Sequence, residues 1–339
     1  MLSLPDRSSH PTKFADYLEL SAVCSLVGYV PFKEILYGFS IEDDVEVQDW
    51  ADEDTEMESL VSAVQEVVAN RLDRIGSAYP FQVSESGSRL LFGGGINSLT
   101  ALYLFLLILS HSSDRTIISE EKAPILTNEV RNWFQSLSTI AAGGFVEGAA
   151  VSFGWPRPDR TAFAVAVKTT YQRFGEGIPL EKPRPAAPKR VKDGGIDIIA
   201  WKQSIDGLSG KTYLIGQVAS GANWKEKSVK QQAHLFHKFW FSQAPSSEHK
   251  SSIFIPFALE PEDPSDSSVG YDALVKDYAD MLTEGFGDVF YRDRLAHYAL
   301  RGIALIEAGN TEIDGFGDVP RIQTWVIQKL EALCATGSA

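Results

Sequence analysis

Two short apolar segments that each carry one polar side chain constrain this chain more than any other feature. The segment 196–201 is apolar apart from Asp197, and the segment 212–218 is apolar apart from Gln217. Glycines precede the first segment, and a Ser-Gly pair lies between the two. This pattern predicts two buried β-strands joined by a polar hairpin.

Asp197 and Gln217 need partners if both strands are buried. A polar side chain without a hydrogen bond in an apolar setting costs several kcal/mol, in order of magnitude. A metal ion shared by the two side chains would satisfy both, and it is one of the arrangements that this pattern allows.

Length and composition indicate a globular protein. The chain has 339 residues, of which 44% are hydrophobic and 22% are charged, so we expect one large domain or two modest ones. Its two cysteines, Cys24 and Cys334, are far apart and lack metal-ligand spacing. We therefore expect neither a disulfide scaffold nor a zinc finger, and a reducing, cytoplasmic location.

The sequence predicts no association with a membrane. Its first twenty residues lack a basic start followed by an apolar run, so no signal peptide is expected. The most apolar segment, Leu99 to Leu109, is too short to cross a bilayer and is interpreted as a core helix.

Negative charge is concentrated in the front of the chain. Residues 1–115 hold 18 acidic and 7 basic residues, a net of −11, which leaves −3 of the total of −14 for the rest. An acidic protein is normally a poor binder of nucleic acid, because phosphate contacts dominate that affinity. The acidic part is separate from the strand pair, however, and we expect it to regulate the protein or to bind a protein partner.

A basic run directly precedes the strand pair. The run KPRPAAPKRVK ends with Lys189, Arg190 and Lys192, which are candidate contacts for nucleic acid. A solvated linker is the alternative interpretation of the same run.

Helical spacing and strand patterns divide the chain near residue 118. Apolar residues at helical intervals predict an α-helical domain over residues 1–118. Strands at 196–201, 212–218 and 251–261 alternate with helices in residues 119–339, which predicts an α/β domain with a small sheet flanked by helices.

Further candidate residues lie on either side of the strand pair. Glu147 is an acid in an apolar helical segment, and Glu176 is the alternative acid. A helix predicted from Trp224 to about Phe241 places four polar side chains on one stripe by their spacing: Lys227, Gln231, His234 and Lys238.

A glutamate on a helix, then Asp197 in DGGIDIIA, then Gln217 in the next strand resembles the PD-(D/E)XK nuclease superfamily. The resemblance covers about residues 140–295 and is greatest to the restriction and phage-defence branch in which glutamine replaces the second acid. It implies a restriction-endonuclease-like fold, with a small mixed sheet flanked by helices.

One position departs from the pattern of that superfamily. A lysine is expected two residues after the glutamine, on the same strand face, but Ala219 stands there. Lys227 is the favoured replacement and Lys225 is the alternative, since either has a long flexible side chain that could reach back to the site. Without such a lysine the protein would be an inactive relative.

The resemblance implies a metal-dependent hydrolysis of phosphodiester bonds. Mg²⁺ or Mn²⁺ would take oxygen ligands from Asp197, Gln217 and the Val218 carbonyl, with Glu147 binding through water or in a second site. A lysine ammonium would offset charge that develops on the phosphate.

The expected function is a DNA endonuclease of bacterial antiviral defence or restriction, with double-stranded DNA as the first choice of substrate. Lys225, Gln231, His234 and Lys238 would join the basic run in binding it. The alternative is an inactive nucleic-acid-binding or scaffold subunit, and a hydrolase of another substrate is a third. RNA as the substrate and a homo-oligomeric state both stay open.

Overall fold

A computed structural model of the chain describes residues 2–42, 50–93, 95–157, 159–187, 194–261, 271–309 and 311–335. The chain divides into two compact units. The first comprises Met1–Leu126 and Pro320–Ala339, and the second comprises Thr127–Val319. The basic residues Lys189, Arg190 and Lys192 lie outside the described residues, as does part of the acidic run at 42–58.

The first unit combines helices with three short strands. In chain order these elements are α1 (Pro11–Cys24), β1 (Tyr29–Pro31), α2 (Glu34–Glu42), α3 (Trp50–Ile75), β2 (Phe81–Val83), β3 (Arg89–Phe92), α4 (Ser98–Asp114) and, from the end of the chain, α10 (Val319–Cys334).

Helix α4 lies at the centre of the first unit. Residues 101–112 are all buried, and the side chain of Asn97 caps the start of the helix by accepting from the backbone N–H groups of Leu99 and Thr100. This arrangement confirms the interpretation of Leu99 to Leu109 as a core helix. Within the part of the chain that is described, no helix combines the length and apolarity needed to cross a membrane.

The expectation of a purely helical front domain is wrong. The three short strands pair antiparallel in the order β1-β3-β2. The side chains of Phe81 in β2 and Leu90 in β3 are buried. Strands of three or four residues are too short to show a clear alternation, so the sequence pattern did not reveal them. Helix α10 also belongs almost wholly to the first unit rather than to the α/β domain.

The two cysteines form a disulfide, contrary to the expectation from their separation. Cys24 at the end of α1 is joined to Cys334 at the end of α10, across 310 residues of sequence. The cross-link ties the carboxyl-terminal helix to the amino-terminal helix within one unit. Sequence distance gives no information on spatial distance, and a disulfide does not support the inference of a reducing compartment.

A network of buried charges connects α1, α3 and α4. The guanidinium of Arg71 contacts the carboxylates of Asp16 at 2.7 Å and Glu19 at 2.5 Å. Tyr79 and Tyr103 each donate a hydrogen bond to Glu19 at 2.7 Å. These groups are almost fully buried, so each charge depends on its partners for the interactions that it has lost with water.

Loss of the Arg71 guanidinium is expected to destabilise the first unit strongly. Arg71→Leu keeps the apolar volume but leaves two buried carboxylates without this countercharge, which costs about 3–5 kcal/mol. Urea unfolding followed by circular dichroism measures the change. The control is Arg74→Leu, at an exposed arginine further along α3, and equal stability of the two variants would contradict the assignment.

The second unit is built on a five-stranded sheet. Its elements in chain order are α5 (Asn128–Val146), β4 (Ala149–Ser152), α6 (Phe163–Phe174), β5 (Ile178–Pro179), β6 (Ile198–Lys202), β7 (Thr212–Val218), α7 (Val229–Trp240), β8 (Phe241–Gln243), β9 (His249–Phe254), α8 (Tyr271–Phe286), β10 (Asp288–Phe290) and α9 (Arg292–Glu307).

The five-stranded sheet is mixed and has the order β10-β9-β7-β6-β4. Strands β4, β6 and β7 pair antiparallel, whereas β7, β9 and β10 run parallel. The register pairs Ile198 with Gly216 and Ile199 with Ile215. The two predicted central strands therefore lie side by side, as expected from the sequence.

Helices cover both faces of this sheet. Side chains of β6 and β7 such as Ile199 and Ile215 pack with residues of α6 and α7, including Tyr171 and Phe236. Helix α5 lies against β4, β6 and β7 and packs closely on α9. The second unit therefore has the α/β layer architecture that the sequence predicts.

Helix α5 continues through Gly143 and Gly144 rather than ending at them. A Cβ atom on Gly144 would lie 2.0 Å from the Tyr298 carbonyl oxygen, and one on Gly302 would lie 2.2 Å from that of Ile140. The glycines therefore serve a close approach of α5 and α9 rather than a turn, and the helix continues to Val146.

Candidate functional site

Asp197 lies at the entrance to strand β6, beside the end of β7. Its backbone N–H donates to the Gly216 carbonyl at 2.9 Å, and its carboxylate oxygen Oδ2 accepts from the backbone N–H of Val218 at 2.8 Å. The carboxylate is therefore held against the peptide bond that joins Gln217 to Val218. The structure places Asp197 beside the Gln217–Val218 peptide, and Val218 takes part through its N–H rather than through the carbonyl that was expected to bind a metal ion.

Gln217 supplies a buried oxygen atom to this region. Its side-chain Oε1 is shielded from solvent and has no hydrogen-bond partner among the described residues. A buried acceptor without a donor is costly, by roughly 1–3 kcal/mol. A donor, a water molecule or a cation next to this oxygen would relieve the cost.

A third oxygen near Asp197 comes from helix α5. A Cβ atom placed on Gly154 would lie 2.6 Å from Asp197 Oδ1 and 2.6 Å from Gln135 Oε1. Both oxygens thus face the same glycine. The Gln135 amide group is oriented by a 2.6 Å hydrogen bond from its Nε2 to Ser152 Oγ, so its Oε1 is directed away from that contact.

Ser152 extends this polar group to Asp314. The backbone N–H of Ser152 donates to the Asp314 carboxylate at 3.1 Å. Burial raises the pKa of Asp314 above its ordinary value, although the Ser152 hydrogen bond and nearby Arg173 oppose the shift. A connected polar chain therefore runs from Asp314 through Ser152 and Gln135 to the surroundings of Asp197.

Glu147 does not join this group. It is the exposed residue that ends α5 in a left-handed conformation, with φ of 53°, and its carboxylate pairs with Lys202 at 2.8 Å and with Arg301. The hydrogen bond and charge of Lys202, with the charge of Arg301, lower its pKa. Lys202 ends β6 and Asp197 precedes it, so Glu147 and Asp197 lie at opposite ends of a five-residue strand, about 15 Å apart.

Glu176, the alternative acid, has a structural role elsewhere. It is buried and accepts hydrogen bonds from the backbone N–H and the hydroxyl of Ser247, at 2.8 and 2.7 Å. The Lys211 ammonium lies 3.7 Å from it. Lys211 precedes β7 whereas Gln217 is near the end of that strand, so Glu176 also lies at the opposite end of the sheet from Asp197.

The prediction that Lys227 shares a helical stripe with Gln231, His234 and Lys238 is wrong. The segment after β7 forms a 3-10 helix, Ala222–Glu226, which ends at Lys227, and α7 begins at Val229. Lys227 has an extended backbone, so it forms a break between the two helices. The residue is half-buried. It therefore does not share the helical face of the residues on α7.

Lys225 and Ala219 both pack against residues around helix α8. The Lys225 ammonium lies 5.5 Å above the ring of Tyr278, a cation–π contact. Ala219 is 1% exposed and packs in an apolar cluster with Trp224 and Ile253. The strand position of the expected lysine is thus closed to a charged group.

The candidate nucleic-acid contacts on α7 are at the surface. Gln231, His234 and Lys238 are all exposed, which leaves them accessible to a ligand without placing them in the site. The neighbouring Gln232 contacts the residues before Asp197, since a Cβ atom on Gly195 would lie 2.9 Å from its Cγ. Gln232 therefore packs on the turn that leads into Asp197.

Sequence reasoning missed Gln135, Gly154 and Gln232. The strongest available signal was Gly154, which precedes a tryptophan and a proline in SFGWPRP and so marks an unusual backbone position. Gln135 carries little signal, because a glutamine on an otherwise buried helix has no characteristic spacing.

The oxygen atoms of this group fit a hard divalent cation that retains waters. Asp197, Gln217 and Gln135 supply one carboxylate and two amide oxygens, and Mg²⁺ commonly binds through one or two carboxylates together with substrate phosphates. The described residues contain no cluster of three or more His, Cys, Asp or Glu side chains able to hold a metal ion.

No family model, curated protein or solved structure matches this chain. The structural description of the site therefore rests on this chain alone.

A cluster of buried rings surrounds His237 at the far end of β7. The Tyr213 hydroxyl lies 3.3 Å from His237 Nε2 and shares a short hydrogen bond with the Tyr171 hydroxyl, while the His249 ring centre is 5.3 Å from that of His237. Burial, followed by the charges of His249 and His234, lowers the pKa of His237 from 6.5 to about 4. This histidine is therefore neutral in the folded protein at neutral pH.

Stability is expected to fall as the pH is lowered from 6.5 to about 4, the interval set by the two pKa values of His237. In this interval the unfolded chain takes up a proton that the folded protein excludes, so acid favours unfolding by up to about 3 kcal/mol. His237→Gln should flatten the dependence, as measured by urea unfolding across this pH range. His234→Gln, at an exposed histidine of the same helix, should retain most of it.

Proposed function

We propose that this protein is a metal-dependent DNA endonuclease that acts in antiviral defence or restriction, with a nuclease domain of the PD-(D/E)XK type. The observation that supports this proposal most is the pairing of Asp197 with Gln217 at the end of two central strands. The Asp197 carboxylate is fixed by the Val218 N–H at 2.8 Å, and Gln217 Oε1 is buried without a hydrogen-bond partner among the described residues.

The fold supports the same proposal at a coarser level. A small mixed sheet with helices on both faces is the architecture that the resemblance implies, with Asp197 directly before β6 and Gln217 in the adjacent strand β7. The group lies at the ends of strands, where open α/β sheets commonly bind ligands, and not in the packed middle of the sheet.

Asp197 and Gln217 would hold Mg²⁺ or Mn²⁺, with Gln135 in the place expected for Glu147. When bound, such a cation neutralises charge on a phosphate oxygen and lowers the pKa of a coordinated water. The Val218 N–H keeps the Asp197 carboxylate in one orientation, and Ser152 does the same for the Gln135 amide. Fixed donors and acceptors of this kind need little reorganisation during reaction.

Lys227 would supply the positive charge that the strand lacks. It is half-buried and follows Trp224, which anchors this segment in the apolar cluster over Ala219. An ammonium group in such a position offsets negative charge on the phosphate without being buried itself. Lys225 is less suited, because its ammonium contacts the Tyr278 ring.

An inactive nucleic-acid-binding or scaffold subunit is the second candidate function. The observation that favours it is the closed environment of Ala219, which is 1% exposed and so excludes a lysine from the strand. Cleavage by the wild-type protein decides between the two functions.

Wild-type protein is expected to nick or cut plasmid DNA in the presence of Mg²⁺ or Mn²⁺ and to lose this activity with EDTA. Asp197→Ala should abolish it, because the only carboxylate in the proposed ligand set is removed. Glu147→Gln is the control: it alters an exposed acid about 15 Å away and should leave cleavage unchanged. Loss of cleavage in Glu147→Gln but not in Asp197→Ala would contradict the site, and calorimetric titration with Mn²⁺ tests metal binding independently.

Lys227→Ala should reduce cleavage by about 10²- to 10³-fold, the range found when one stabilising donor is removed from an active site. Lys225→Ala should leave most of the activity, because its side chain lies against Tyr278. Initial rates on supercoiled plasmid measure both variants. Full activity of Lys227→Ala would refute the role given to this lysine, and a loss confined to Lys225→Ala would transfer the role to Lys225.

A further inference from the structure

The loop after β4 is fixed directly to Asp197. The backbone N–H groups of Phe153 and Gly154 both donate to the Asp197 carbonyl, at 2.7 and 2.9 Å. Gly154 also packs on the Asp197 carboxylate, since a Cβ atom there would lie 2.6 Å from Oδ1. The Cα atom of the next residue, Trp155, follows that of Gly154 by about 3.8 Å.

Trp155 directly follows Gly154 and carries a large aromatic ring. The residue is 44% exposed, whereas tryptophan is usually well buried. Part of its surface is therefore in contact with solvent, even though the Arg157 guanidinium lies against the ring.

A buried arginine holds the loop that carries Trp155 in place. Arg157 is 4% exposed, and its guanidinium lies 5.2 Å from the Trp155 ring centre. It donates hydrogen bonds to the carbonyls of Thr161 at 3.0 Å and Phe153 at 3.1 Å. The guanidinium is already hydrogen-bonded within the loop. The loop therefore presents a preorganised indole ring rather than a positive charge.

We propose that Trp155 is a base-stacking residue that selects DNA with an unpaired nucleotide next to the phosphate that a metal ion held by Asp197 would bind. This role rests on the proposed nuclease function, and it names single-stranded or locally unpaired DNA as the substrate class. A base in an intact duplex has both faces covered by its neighbours, whereas an unpaired base can stack on an indole.

The charge of the protein makes such a contact useful. The net charge of −14 opposes contacts with phosphate, which dominate the affinity of basic DNA-binding proteins. Stacking on an aromatic side chain is independent of net charge and tolerates any base, because each base has an exposed π-face.

The test is a binding measurement that requires no cleavage. Fluorescence anisotropy in EDTA compares a labelled oligothymidylate with a blunt duplex of the same length, using the full-length chain. Wild-type protein should bind the single strand more tightly. Trp155→Ala should weaken that binding by about 5- to 150-fold, whereas Trp155→Phe should retain most of it, and binding of the duplex should change little in either variant.

Two further variants separate stacking from general apolar contact. Trp155→Leu keeps an apolar side chain without a π-face and should bind like Trp155→Ala. Ile205→Ala removes an exposed apolar side chain from the hairpin between β6 and β7 and should bind like the wild type. Circular dichroism melting curves establish that each variant is folded.

Failure of this role is distinguishable from failure of the nuclease function. Equal binding of wild-type protein and Trp155→Ala, or wild-type binding by Trp155→Leu, overturns the role even if the protein cleaves plasmid DNA. Specific loss of single-strand binding in Trp155→Ala supports it even if the wild type cleaves nothing. No binding of the single strand by the wild type overturns it in either case.

Discussion

The antiparallel pairing of β6 with β7 is the constraint on which the proposed site depends. The register that pairs Ile198 with Gly216 sets Asp197 beside the Gln217–Val218 peptide, and a slip of one residue would turn every side chain to the other face. Gly216 fixes this register from the β9 side as well. A Cβ atom there would lie 2.5 Å from the Phe254 ring, so the strand can approach β9 only with glycine at this position.

Local pattern was sufficient for the central strands and the core helix, but not for features made by contacts between distant segments. The strands at 198–202 and 212–218 follow from short apolar runs bounded by glycines. The extension of α5 through Gly144 depends on a helix more than 150 residues later, and the Cys24–Cys334 disulfide spans 310 residues. Neither leaves a periodic signal in its own neighbourhood, because the partner is absent from any local window.

The same distinction explains which site residues could be predicted. Asp197 and Gln217 are polar residues in otherwise apolar strands, so their own sequence context marks them. Whether Glu147 or Gln135 reaches Asp197 depends on where along α5 the strands cross the helix, which is a tertiary property. Glu147 is the better ligand by chemistry, but it ends the helix beside Lys202, while Gln135 lies two turns or more nearer the start and faces Gly154.

Packing around Ala219 accounts for the absence of a lysine from the strand. Trp224, Ile253 and Leu282 close over this position in one apolar cluster, and an ammonium group buried there would lose its hydration without gaining a partner. Desolvation would also favour the neutral amine and remove the charge that the proposed hydrolysis requires. A lysine that serves this site must therefore come from outside the cluster. Lys227 meets that condition, since it lies three residues beyond Trp224, where the chain leaves the apolar layer.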